Sequence, residues 1–83
     1  MSRNDPTEVL VAVHYDNPRR HAVLISIDGN NARSKWIARS LLKSFHYLPG
    51  QTTAGTDRNG QTVQLPMVHM TIPEWLAQRE ELI

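Results

Sequence analysis

The sequence predicts an α+β fold that is mainly β, a small antiparallel sheet or partly open barrel closed by one C-terminal helix. Three observations support this prediction. Residues 8–15 and 21–27 are strand-like and are separated by turn formers, residues 61–72 form a later alternating segment, and helix-start chemistry follows at Pro73. A chain of 83 residues can bury one modest core, so we expect a single small domain over residues 1–83.

The first two strands are predicted to form a hairpin. Polar residues 1–7 predict a flexible N-terminal tail. In residues 8–15, every second residue is large and apolar, which is the period of a strand: Val9, Val11, Val13 and Tyr15. Asn17 and Pro18 supply a turn. Residues 21–27 are nearly all apolar and rich in β-branched side chains, so this strand is expected inside the sheet with both faces covered.

Residues 34–48 have two interpretations. A spacing of three and four residues predicts an amphipathic helix with one apolar face, formed by Ile37, Leu41, Phe45 and Leu48. The alternative is a short strand near residues 35–38, a helical turn at 39–42 and a further strand over residues 44–47. Periodicity alone favours the helix. Residues 49–60 are polar and contain several glycines, so they are predicted to form an exposed, mobile loop.

The last third of the chain predicts a strand followed by a helix. Pro66 interrupts the alternation of residues 61–72, which indicates an edge position or a bulge because proline cannot donate to a ladder. Thr71 can cap a helix, Pro73 suits its first turn, and Glu74 suits the positive helix end. The helix is expected to pack its apolar side chains on the sheet: Trp75, Leu76, Leu82 and Ile83.

Three short motifs follow one another along residues 21–83. A strand ending in Asp-Gly covers residues 22–29, Trp-Ile-Ala-Arg-Ser covers 36–40, and Pro-Glu-Trp-Leu-Ala covers 73–77. In this order they resemble a family of short uncharacterised proteins encoded in phages and bacterial mobile elements, whose second motif usually has proline where this chain has Ala38. This chain also carries the extra residues 30–34. A proline there would be awkward inside a helix, so the resemblance favours the strand-then-turn interpretation. The resemblance implies that the protein is encoded in a phage or mobile element, and it implies no activity.

Composition excludes several kinds of chemistry. The chain has no cysteine, which excludes disulfides, thiol chemistry and cysteine-ligated metals, and fits a reducing cytoplasm. No apolar run approaches the ~20 residues of a membrane span, and residues 1–7 do not resemble a signal peptide. We therefore expect a protein of the bacterial cytoplasm that does not bind membranes.

No motif predicts catalysis, a cofactor or a metal. The serines show no nucleophile elbow, the carboxylates are scattered, and the glycines form no phosphate-binding loop. If residues 17 and 18 centre the first turn, His14 and His21 lie opposite each other across the hairpin. A metal site would need further ligands, so a solvent-facing cross-strand pair is the preferred interpretation. We expect a protein that is not an enzyme.

Charge marks the candidate contact residues. Residues 19–43 contain six basic residues and one acidic residue, although the net charge of the whole chain is only +1. Trp36, Ser40 and Trp75 are assigned structural roles, because each tryptophan would be a large share of a small core. The residues least needed by a core are predicted to contact a partner: Arg33, Lys35, Arg39 and Lys43.

Two function classes follow from these observations. The first is a non-catalytic accessory binding module of phage or mobile-element type that acts through a protein partner. The alternative is a nucleic-acid-binding module that uses the basic patch of residues 19–43, with Tyr47 or another exposed aromatic side chain stacking on a base. The low net charge favours the protein partner. The sequence identifies no partner and leaves homo-oligomer formation open.

Overall fold

The computed structural model describes residues 5–83 as one five-stranded antiparallel sheet with a short C-terminal helix. The strand order across the sheet is β3-β2-β1-β5-β4, so the first and last strands are neighbours near its middle. A 3₁₀ turn at Asn31–Arg33 joins β2 to β3, and another at Arg39–Leu41 joins β3 to β4. The elements are β1 (Pro6–Tyr15), β2 (Ala22–Ser26), β3 (Lys35–Ala38), β4 (Ser44–Thr56), β5 (Thr62–Pro73) and α1 (Glu74–Arg79).

These bounds confirm the mainly β fold, the first hairpin, the late strand and the strand-then-turn interpretation of residues 34–48. The predicted loop over residues 49–60 is wrong for residues 49–56, which extend β4, because Thr52–Thr56 pair with β5 and supply β-branched side chains. The predicted tail is wrong at Pro6 and Thr7, which begin β1. Residues 1–4 of that tail lie outside the described residues.

One face of the sheet, the core face, carries the hydrophobic core. Cross-strand partners such as Val11 with Val68 and Val23 with Ile37 are fully or almost fully buried on it. Leu76 and Ala77 of α1 pack against this cluster. The remaining buried members come from β1, β2, β5 and the C-terminal segment: Val9, Val13, Ile25, Met70, Ile72 and Leu82.

The closing helix differs in detail from its prediction. Its N-cap is Pro73, which makes no side-chain cap hydrogen bond. Thr71 does not cap the helix because it remains in β5, where its hydroxyl accepts a hydrogen bond from Ser44 Oγ at 2.8 Å. Glu74 lies in the first turn as expected, and Leu76 is buried. Trp75 is only half-buried, with the Arg79 guanidinium 5.1 Å from its ring centre, and Ile83 is exposed. No helix within residues 5–83 is long and apolar enough to span a membrane.

Pro66 lies at the position where the strand pairing on both sides of β5 changes. β5 is an interior strand, but its pairing with β1 ends at Met67, next to the proline. On the other side, the β4 register shifts between Tyr47 and Thr52, opposite Pro66. The predicted edge or bulge is therefore found locally, and beyond it β4 and β5 continue as a two-stranded hairpin.

The end of that hairpin is fastened to the turn after β2. Thr56 donates its N–H to the Gly29 carbonyl at 3.0 Å, and its hydroxyl accepts the Asn31 N–H at 3.0 Å. Gly29 has φ +83, a conformation that favours glycine, and a Cβ on Gly55 would lie 2.4 Å from the Gly29 oxygen. The two glycines thus allow the backbones to touch, which brings the hairpin toward the sheet face opposite the core, the outer face.

Candidate functional site

Two aromatic side chains lie together on the outer face. Ile37 pairs with Val23 on the core face, so strand alternation places Trp36, opposite Leu24, on the other side. The β1–β2 register shifts between Val13 and Tyr15, and this shift pairs Tyr15 with Leu24 as well. The Tyr15 and Trp36 rings meet edge to face with centroids 5.9 Å apart.

This placement corrects the structural role predicted for Trp36, whose residue surface is 56% exposed. The prediction failed because it counted tryptophan as core by size, whereas the partner positions of β3 decide which face it occupies. Ser40 is also exposed. It lies within the Arg39–Leu41 turn, and the N-cap of that turn is Ala38, which makes no side-chain cap hydrogen bond. The Tyr15–Trp36 pair is therefore a large apolar surface that stays exposed on the outer face and is not part of the core.

The aromatic pair borders a cleft of about 780 Å³ between the β1–β2–β3 part of the sheet and the β4–β5 hairpin. Leu24 lines it from the sheet, and Val63 and Leu65 line it from the hairpin. Predominantly apolar lining with a few polar groups is typical of a ligand-binding site. We call this feature the aromatic cleft; it is also lined by His14, Arg20, Asn31, Asp57 and Arg58.

The charged groups of the aromatic cleft are mainly basic. Arg20 and Arg58 are exposed, whereas the Asp57 Oδ1 accepts the N–H groups of Asn59 and Gln61 within its own turn. Arg20 lines the cleft together with the aromatic pair, and the Asn17 amide and then the Arg20 guanidinium lower the pKa of Tyr15. The cleft thus combines an apolar lining with two cationic side chains.

His14, which lines the cleft, forms a hydrogen bond with the buried Ser26. The Nε2 of His14 lies 2.7 Å from Ser26 Oγ, a distance at which a serine nucleophile and its base would be found. Ser26 is fully buried, however, and its oxygen also accepts the Gly29 N–H at 2.8 Å. Burial lowers the pKa of His14, although Asp28 opposes this, so the neutral ring can accept a hydrogen bond from the serine hydroxyl. The pair therefore supports the turn after β2.

The same pairing overturns the cross-strand histidine interpretation. Tyr15 pairs with Leu24, and His14 turns to Ser26, so His14 and His21 are not opposite each other. The register shift next to His14 is the physical cause. Within residues 5–83, no group of three or more His, Cys, Asp or Glu side chains is arranged to hold a metal ion.

Asp16 connects the two edge regions of the sheet. Its carboxylate accepts a hydrogen bond from the Tyr47 hydroxyl of β4 at 2.5 Å and pairs with the Arg39 guanidinium after β3. Tyr47 and then Arg39 lower the pKa of Asp16. Partial burial and then Asp16 raise the pKa of Tyr47 to about 12. This cluster, the Asp16 junction, joins regions that the strand order places at opposite sides.

The predicted contact residues occupy different surroundings. Arg33 and Lys35 line a second cleft of about 450 Å³, where Glu80 and Glu81 also lie, and Arg33 pairs with Asp28 at 3.6 Å. Arg39 is engaged at the Asp16 junction, where it also donates to the carbonyls of Arg20 and Asn17. Lys43 is exposed before β4. The structure brings Arg33 and Lys35 together, and none of the four lines the aromatic cleft.

Sequence reasoning did not identify the residues of the aromatic cleft. Arg20 fell within the basic segment, but Tyr15 was grouped with the core-facing valines and Arg58 with a loop. Residues 52–56 and 62–66 flank Asn59-Gly60, and an Asn-Gly pair between two strand-forming segments is a typical hairpin signal that could have indicated β4 and β5. Comparisons with family models, curated proteins and solved structures returned no match.

Proposed function

We propose that this protein is a non-catalytic accessory binding module, of phage or mobile-element type, that acts through a protein partner in a bacterial cytoplasm. The partner binds at the aromatic cleft. The observation that carries this proposal is the exposure of Trp36 beside Tyr15 and an apolar lining. Aromatic side chains in desolvated pockets contribute most of the free energy of many protein interfaces.

Within residues 5–83, the two side-chain groupings that could suggest catalysis are engaged in the fold, which supports a binding role. Ser26 and His14 have a suitable separation for nucleophilic catalysis, but the serine is inaccessible to a substrate. At the Asp16 junction, the carboxylate, the phenol and the guanidinium satisfy one another. A group bound in this way contributes to folding and has little freedom to transfer protons to a ligand.

Single-stranded nucleic acid is the second candidate, and Arg20 and Arg58 beside the aromatic pair favour it. Three features rank it below a protein partner. The cleft has two arginines and a mainly apolar lining, the net charge of the chain is +1, and the edge of one ring meets the face of the other. Nucleic-acid affinity depends strongly on the number of phosphate contacts, and base stacking needs an open aromatic face.

Selection from a displayed library of random linear peptides tests the proposal. The wild-type protein should enrich peptides from the library. Trp36→Ala should bind the enriched peptides with an affinity lower by roughly tenfold or more, the loss expected for an interface hot spot. Leu10→Ala is the matched control, because Leu10 is also exposed but does not line the cleft. Equal binding by wild type and Trp36→Ala would contradict the proposed site.

Fluorescence anisotropy with oligothymidylate at about 150 mM salt tests the second candidate. Trp36-dependent binding of the oligonucleotide, with no peptide enrichment, would replace the protein partner by nucleic acid. Binding that falls steeply with salt would identify phosphate contacts as its source.

A further inference from the structure

We propose that the aromatic cleft binds an extended, proline-containing peptide segment that carries acidic residues. This inference rests on the proposed function and names the ligand class for that site. It follows from three properties of the cleft: its apolar aromatic shape, its free hydrogen-bond donors and its basic charge.

The shape of the cleft suits a polyproline II helix. Tyr15 and Trp36 meet at an interplanar angle of 67°, so together they line the cleft without forming a flat stacking platform. Leu24 and Leu65 provide apolar surface from opposite sides of the cleft. Proline rings in a polyproline II helix are recognised by aromatic-lined grooves of this kind, and the helix is already ordered before binding.

The cleft also offers donors to a backbone without internal hydrogen bonds. Among residues 5–83, the Trp36 indole N–H has no acceptor, and the Tyr15 hydroxyl accepts from Asn17 Nδ2 at 3.3 Å, which leaves its own proton free to donate. A polyproline II segment has carbonyl groups that are solvated when free and can accept such hydrogen bonds when bound. Trp36 and Tyr15 can therefore orient the backbone as well as contact apolar side chains.

Charge complementarity indicates that the segment is acidic. The exposed Arg20 and Arg58 line the cleft, and they outnumber its one acidic side chain, Asp57, whose Oδ1 is held within its own turn. Guanidinium groups form bidentate hydrogen bonds with carboxylates, so an Asp or Glu beside the prolines would have a defined partner. A basic segment would meet repulsion from the same two arginines.

Competition among four pools of degenerate peptides tests the inference. The pools are identical apart from fixed positions that carry Pro with Glu, Pro with Lys, Ser with Glu, or Ser with Lys. The Pro–Glu pool should be enriched about tenfold over each of the others, because it alone combines low ordering cost with the matching charge. Chemical shifts of the Trp36 indole N–H should then move on titration with an enriched peptide.

A charge reversal provides the matched control. Arg20→Glu should shift preference toward the Pro–Lys pool, whereas Lys43→Glu, which makes the same change in net charge outside the cleft, should leave preference for Pro–Glu unchanged. Circular dichroism of both variants should match wild type, since both side chains are exposed.

The outcomes separate this inference from the proposed function. Trp36-dependent enrichment without preference for proline or for glutamate would overturn the ligand class and leave the binding module intact. Enrichment of no pool, with Trp36-dependent binding of oligothymidylate, would overturn both. An unchanged Pro–Glu preference in Arg20→Glu would overturn the role assigned to charge.

Discussion

The two tryptophans mark two different faces of the same sheet. Trp75 lies in the first turn of the helix that covers the core face, and it is half-buried against the cluster that includes Leu76. Trp36 lies on the outer face, 56% exposed and in contact with Tyr15. One side of the sheet is thus closed by the chain itself, whereas the other keeps a large aromatic surface in solvent beside a cleft.

This difference shows how little of a residue's role is set by its type. Strand alternation assigns Trp36 to the face opposite Ile37, and a single register shift between Val13 and Tyr15 moves the tyrosine from the valine face to the tryptophan face. A shift of one residue exchanges the two faces of a strand. The aromatic cleft therefore depends on one irregularity in β1.

The largest expected effect lies on the core face. Leu76→Ala should reduce the free energy of unfolding by about 2–5 kcal/mol, because Leu76 is fully packed between α1 and the sheet. Ile83→Ala is the matched control on the same C-terminal segment and should change it by no more than about 0.5 kcal/mol, since Ile83 is 62% exposed. Urea denaturation measures both, and equal effects would show that α1 does not close the core.

Paired tryptophan substitutions sharpen the comparison directly. Trp75→Ala should cost roughly 1–3 kcal/mol, less than a fully buried aromatic side chain, because only part of its surface is packed. Trp36→Ala should leave the urea midpoint close to wild type while it removes ligand binding. A larger loss of stability in Trp36→Ala than in Trp75→Ala would reverse the assignment of the two faces.

Gly55→Ala tests how the hairpin is held over the outer face. The new Cβ would lie 2.4 Å from the Gly29 oxygen, which is backbone, and 2.5 Å from a Leu65 methyl group. We expect a loss of about 1–3 kcal/mol, typical of overpacking, together with weaker binding at the cleft. Ala54→Ser is the control, because Ala54 is exposed in the same strand. Unchanged stability and binding in Gly55→Ala would show that the close approach is unimportant.

Acidification should destabilise the protein in two stages. Burial lowers the pKa of His14 in the folded state, so its contribution to stability is complete above the ordinary value of 6.5 and declines as the pH falls below it. Tyr47 and Arg39 lower the pKa of Asp16, so its contribution is complete above 3.8 and is lost as the pH falls through the folded pKa. Urea midpoints across this pH range measure the combined effect.

Two variants separate the stages. His14→Gln should flatten the decline that begins near 6.5, and Tyr47→Phe should reduce the more acidic decline because it removes the largest cause of the lowered Asp16 pKa. NMR titration of His14 and Asp16 identifies the groups. Stability that rises between pH 7 and pH 5 in wild type, or an Asp16 pKa unchanged by Tyr47→Phe, would contradict the assignment.

Local chemistry predicted most of the framework. Alternation identified β1 and β5, turn residues separated β1 from β2, and Pro73-Glu74 marked the start of α1. Residues 49–56 were missed because their polar side chains and glycine resemble a loop. They are a strand because β5 supplies partners for their backbone groups, and this pairing is invisible in the segment itself.

The sequence by itself determined a small, mainly β fold with a C-terminal helix and without cysteine chemistry. The tertiary structure alone decided which residues meet. Register placed Trp36 and Tyr15 on one face, two glycines brought the hairpin to the turn after β2, and Asp16 joined Arg39 to Tyr47. These contacts are long-range, so they depend on strand pairing and backbone approach, whereas local patterns report only the preferences of neighbouring residues.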